Sequence, residues 1–158
     1  MIFNLFHAIE FSAVGQAIKN SSWAFAVTES VHLLALSVIG GAVLVVDLRM
    51  LGFGLRRQRI ADVARDAWPV FVGSLAVMLV TGAMLFMSEA VKCYYSYPFR
   101  VKMASLALAI LFAFTIRRRV ARADEGRIGP LAYRAVAVVS LMLWFAVGAA
   151  GRWIGFSG

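Results

Sequence analysis

The sequence predicts an all-α integral membrane protein: a bundle of four transmembrane helices preceded by an N-terminal amphipathic interfacial helix. Three observations carry this. Of 158 residues, 62% are hydrophobic and 15% charged, against roughly 45–50% and 25% in soluble domains. A soluble chain this short could not hide so much apolar surface in one core. Four apolar stretches reach the ~20 residues that cross a ~30 Å hydrocarbon layer as helix. Basic residues gather in two of the three connections, as they do in the loops of multi-pass proteins. An ordinary cytoplasmic enzyme, a disordered chain and a disulfide scaffold are thereby excluded. The single Cys93 allows no internal disulfide and no CxxC zinc or thioredoxin-type site.

Residues 1–20 predict a helix lying on the membrane face. At 100° per residue, Asn4, Ala8, Ser12, Gly15, Gln16 and Lys19 share a polar face, with Ile2, Phe3, Phe6, Ile9 and Val14 opposite. The basic n-region and A-x-A site of a signal peptide are missing. His7 and Glu10 fall among the apolar positions, where ionisable groups need partners. The first span is expected at about 23–46. The second runs over 68–87, with Pro69 at its helix start. The third covers 99–116, and the fourth 131–154, after the Gly129-Pro130 break. The whole of 1–158 reads as one membrane domain.

The net charge of +8 would suggest nucleic acid in a soluble protein. Its placement says otherwise. The connection after the first span carries Arg49, Arg56, Arg57, Arg59 and Arg65. The connection after the third, with its flanks, carries Arg117, Arg118, Arg119, Arg122, Arg127 and Arg134. Both are expected on the cytoplasmic side of a bacterial inner membrane, with both termini outside. Lipid is the expected partner, and nucleic acid is not.

Ionisable residues inside a span are costly and point to function. In the first span Glu29, His32, Leu36, Gly40, Val43 and Asp47 follow a three-and-four spacing and form one stripe expected to face the bundle interior. Gly40 and Gly41 either let another helix approach, the commoner case, or leave space for a flat cofactor. Compatible faces are Ser74, Met78, Thr81, Leu85 and Ser88 in the second span, Lys102, Ser105 and Ala109 below Arg100 in the third, and Ser140, Trp144, Gly148 and Gly151 beside Arg152 in the fourth. An imidazole ~12 Å deep, below a ring of cations, suits a b-type haem. His32 is the expected axial ligand, and Arg100, Lys102 and Arg152 the partners of the propionates. Phe25, Phe86, Phe112, Trp144 and Phe145 would supply aromatic walls, and Glu29 would orient the imidazole or relay protons. His7 fills the sixth position or leaves it open. No CxxCH occurs, so c-type attachment is excluded. The competing reading makes His32 a helix–helix hydrogen bond and lets the cations snorkel to headgroups.

The run Glu29-Ser-Val-His-Leu-Leu-Ala-Leu-Ser-Val-Ile-Gly-Gly-Ala, with Asp47-Leu-Arg-Met-Leu-Gly after it, resembles the first core helix of small bacterial membrane proteins related to the HemJ-type protoporphyrinogen oxidases and the CopD-type copper-resistance proteins. The setting Val101-Lys102-Met103 is similar to a lysine early in a later span of the HemJ type. That resemblance implies haem b at His32 and porphyrinogen oxidation. The CopD resemblance implies copper, which takes second place because no Met-rich or His-rich cluster is present. The expected function is therefore electron transfer or a redox reaction at a haem b near the outer face. A redox partner or quinone, and a second copy of the chain, are candidate partners. The alternative is a haem-free assembly component or small transporter. Small-xxx-small spacings at Ser37/Gly41, Ala146/Ala150 and Gly151/Gly155 suit assembly, while a transporter would call for interrupted spans. The segment Cys93-Tyr-Tyr-Ser-Tyr97 reads as an interfacial aromatic belt with an incidental thiol; its functional alternative makes Cys93 a copper ligand and a tyrosine a redox relay.

Overall fold

A computed structural model describes residues 2–54, 57–123 and 126–156; Arg56, counted above among the loop arginines, lies outside them. The elements are α1 (Ile2–Glu10), α2 (Ala13–Asn20), α3 (Ser22–Leu51), α4 (Ile60–Ser88), α5 (Ala90–Tyr95), α6 (Tyr97–Phe112), a π-helical turn (Ala113–Arg117), α7 (Arg118–Arg122) and α8 (Pro130–Phe156). The π turn joins α6 and α7 into one rod. Four rods, Ser22–Leu51, Ile60–Ser88, Tyr97–Arg122 and Pro130–Ile154, are long and apolar enough to cross a membrane. The fold is the predicted all-α four-helix bundle. Leu34, Val80, Leu111 and Phe145 face outward, as lipid-contacting side chains do.

The helices outrun the apolar stretches that announced them. α3 continues to Leu51, where Gly52 adopts φ 88° and its amide returns to the carbonyls of Leu48 and Arg49. A left-handed glycine is the usual way to end a helix. α4 starts at Ile60, so Pro69 lies inside it rather than at its start. The extra turns hold because Ile60 and Val63 bury against Val46, Met50, Ala121, Tyr133 and Ala137. That apolar contact outweighs the one ladder hydrogen bond that proline removes. A larger core, including Ile39, Val43, Phe71, Met78, Ala109, Trp144 and Val147, fills the middle of the bundle. α3 packs along α4 and against α8, α6 packs along α8, and α4 meets the third rod chiefly at α7.

The N-terminal helix is two helices rather than one. Ser12 breaks it, its hydroxyl accepting from the Gly15 amide at 3.2 Å to cap α2. The break lets Gly15 press onto backbone: a Cβ there would lie 2.6 Å from the Met87 carbonyl and 2.7 Å from that of Glu10. The supposed polar face is thus buried at Gly15, and Ile18 lies inside as well. Glu10 finds the partners its position demanded. It pairs with Lys19 and accepts from the Val91 amide in the first turn of α5 at 2.8 Å. His7 does not turn inward; its ring is exposed and stacks on Phe11 at 4.3 Å. Phe6 packs edge-on against Phe86 and Tyr94, and Phe86 stacks on Phe99 at 5.6 Å.

Burial pushes the Glu10 carboxyl up, but Lys19 and the Val91 amide outweigh it and hold the group below its ordinary value. A carboxylate lowered on folding adds stability that is present above its unfolded pKa and lost as pH falls through the folded one. Amide protection factors in α1 and α2 should therefore fall on acidification below about pH 4. Glu10→Gln should lack most of that acid step. Equal protection at pH 7 and pH 3 in the wild type would dismiss Glu10 as the latch.

Candidate functional site

His32 sits ten residues into α3, ~15 Å along the helix, and is 7% exposed. Its Nδ1 lies 3.0 Å from Thr81 Oγ1 on α4. The Thr81 hydroxyl already donates to the Val77 carbonyl at 2.7 Å, so it receives from the ring. Nδ1 therefore carries the proton, and Nε2 presents a bare lone pair. Lys102 Nζ, from α6, stands 3.5 Å from that lone pair. Gly82 makes the arrangement fit, and Gly151 lies at ordinary contact distance beside the lysine. A Cβ at Gly82 would come within 3.1 Å of His32 Cε1, and one at Gly151 would lie 3.6 Å from Lys102 Nζ. The resulting chain runs Lys102 to His32 to Thr81 to the α4 backbone, across three helices.

The other expected site residues are placed differently from one another. Glu29 is exposed, because the buried face of α3 runs through Thr28, His32, Ala35, Ile39, Val43, Val46, Asp47 and Met50. The anticipated single interior stripe therefore splits: His32, Val43 and Asp47 go in, and Glu29 and Gly40 stay out. Thr81, not Glu29, orients the imidazole. Arg100 is exposed and donates to the Tyr94 carbonyl at 3.2 Å; Arg152 is exposed on α8. Trp144 is buried edge-on against Phe71, with ring centroids 5.6 Å apart. Both His32 nitrogens have neighbours other than His7. Cys93 is buried on α5, and burial, with Glu89 next, pushes its thiol up to about 11. It stays protonated near neutrality and is a poor metal ligand in that form. Among the described residues, no three of His, Cys, Asp and Glu gather in a metal-holding group.

Sequence reasoning missed a second polar station toward the opposite end of the bundle. Arg117, expected among the loop arginines, is buried. Its Nε donates to Asp47 Oδ1 at 2.9 Å and its Nη2 to the Val43 carbonyl at 3.3 Å, with the two side chains 6% and 0% exposed. The local cause is a spacing of four through Ala109, Ala113, Arg117 and Ala121, all buried. Four α-helical residues overshoot a turn by ~40°. The wider π turn over Ala113–Arg117 takes up that drift and keeps Arg117 facing Asp47. Ser140 of α8 lies beside the same carboxylate.

The mid-span glycines open space instead of closing it. A Cβ at Gly40, Gly41 or Gly148 would meet nothing within 4 Å. Between α3 and α8, Gly40 and Gly148 leave an open groove of about 700 Å³, whose lining also includes Leu36, Leu44, Trp144 and Phe145, while Gly41 lines a separate hollow against α4.

Fold and site together define a multi-pass helical membrane protein with an embedded histidine–lysine pair. The chain belongs to the family of unknown function DUF6644, whose model matches residues 5–157. No curated protein and no solved structure matches it.

Proposed function

We propose that the protein binds haem b through His32 and serves electron transfer or a redox reaction near the bundle end that holds its termini. The carrying observation is the state of the imidazole. Nδ1 is anchored by Thr81 and Nε2 is directed at a cation, the Lys102 ammonium. Ligating histidines are held in this way, with one ring nitrogen donating to an outer partner and the other free for the metal. The donor set fits an axial ligand, provided Lys102 swings off Nε2. Its ammonium, with Arg100 and Arg152, would then balance the propionates. Haem would supply a reversible Fe(III)/Fe(II) couple. Thr81 would fix the tautomer, Gly82 would fix the ring against α4, and Trp144 would line the apolar interior of the bundle. The likeness of the His32 and Lys102 settings to the HemJ type supports the same reading. The exposed, stacked position of His7 favours one histidine on the iron rather than two. Haemin titrated into the purified protein should saturate at one per chain with a Soret shift; partitioning without saturation would refute specific binding.

In this reading both termini lie outside a bacterial inner membrane, which the arginine-rich connections favour. In a Cys93→Ser background, single cysteines introduced within 88–98 should react with an impermeant reagent added from outside, and those within 52–66 should not. The reverse pattern would invert the assignment.

A further inference from the structure

We propose that the face where Arg118 and Arg122 meet Trp68 binds the headgroup of an anionic phospholipid, with an acyl chain laid along Phe114 and Leu111. Two guanidinium groups of α7 converge on one ring of α4. The Cζ of Arg118 stands 4.6 Å from the Trp68 ring centre, and that of Arg122 stands 5.8 Å from it. An indole face attracts a cation, but two cations four residues apart on one helix repel each other. Among the described residues neither arginine is in a salt bridge. Asp62 is taken by Arg65 and Asp47 by Arg117, while Asp66 lines the hollow against α3. An anion from outside the chain supplies the balancing charge. The level in the membrane suits a headgroup. Trp68 opens the apolar stretch of α4, where tryptophan sits at the interface, and α7 ends the third rod. Guanidinium suits the phosphate, because its N–H fork matches two oxygens at once. Phe114, one turn back from Arg118, packs edge-on against Trp68 at 5.0 Å. Phe114 is 39% exposed and Leu111 62%, so an apolar stripe continues from the cations into the membrane. A soluble anion would leave that stripe unused. A zwitterionic headgroup would bring its own cation against two arginines. A net anionic headgroup on acyl chains meets both demands. The site is independent of the haem reading.

Phosphatidylglycerol is the probe, with phosphatidylcholine of the same acyl chains beside it. Binding of each to the purified protein in detergent is read by native mass spectrometry. Wild type should take up one phosphatidylglycerol per chain with a preference on the order of tenfold, or about 1.4 kcal/mol. Arg118→Gln combined with Arg122→Gln should erase that preference. Arg119→Gln combined with Arg127→Gln removes the same charge from exposed neighbours and should leave the preference in place. Arg118→Lys combined with Arg122→Lys keeps the net charge and the helix but loses the fork. It should lower the preference several-fold, and it keeps the test valid if the glutamine pair fails to fold. No preference in wild type, an equal loss in the two glutamine pairs, or full preference in the lysine pair would overturn the proposal. Displacement of the lipid by millimolar inorganic phosphate would overturn it as well, by making the occupant a soluble anion.

Discussion

His32→Ala should abolish the Soret band of the purified protein while the four helices still insert. In the proposed reading the imidazole supplies the ligating lone pair from Nε2, with Nδ1 anchored by Thr81. Insertion depends on span hydropathy, which averages 2.2 in the most apolar window of Ser22–Leu51 and rises when histidine becomes alanine. Thr81→Val keeps the side-chain volume and removes the acceptor. It should weaken haem binding by roughly 10–100-fold, the scale on which outer partners of ligating histidines act. His7→Ala should leave spectrum and carbon monoxide binding unchanged, because His7 stacks outward on Phe11. Wild-type Soret intensity in His32→Ala would remove the imidazole as ligand.

Arg117→Ala and Asp47→Ala should each destabilise the bundle by about 3–5 kcal/mol, the cost of leaving one buried charge uncompensated. The two side chains are almost wholly enclosed, so a lone carboxylate or guanidinium left there would be poorly screened by solvent. The pair itself has no such claim to net stability, since desolvation consumes much of the attraction. Asp47→Leu combined with Arg117→Leu should therefore recover most of the loss. Unfolding in mixed detergent micelles reads both effects. A double variant as unstable as either single one would show that the site requires charge for another reason.

The fold was legible because its signals are long and redundant. Each span repeats its apolar message over about 20 residues, and mistaken ends do not alter the architecture. The failures are local and share a cause: side-chain contacts across elements override patterns within one. Pro69 reads as a helix start until Ile60 and Val63 find a second apolar cluster. Residues 1–20 read as one helix until Gly15 meets the Met87 backbone. His32 and Lys102 were separately visible as polar residues inside apolar runs, and the fold brings them to 3.5 Å. Glu29 looked equivalent to His32 on a helical wheel, but three residues of rotation carry it out of the buried face. Arg117 was hidden by its neighbours, since Arg118, Arg119 and Arg122 make the whole run look like a solvated loop end. The spacing of four through Ala109, Ala113 and Ala121 was a usable signal, and so was Asp47, a buried carboxylate in need of a cation. Thr81 appeared only as one hydroxyl in a stripe, and nothing in the sequence distinguished it from Ser74 or Ser88, which bond to their own helix.

The most direct measurement is the absorption spectrum of the wild-type protein purified from bacterial membranes, oxidised and then dithionite-reduced, with haem quantified as the pyridine haemochrome. One haem b per chain is expected, with a Soret band that shifts on reduction and shifts again under carbon monoxide at an iron carrying His32 alone. A protein that folds, remains colourless and takes up no haemin would contradict haem binding, leaving His32, Thr81 and Lys102 as a hydrogen-bonded tie between three helices.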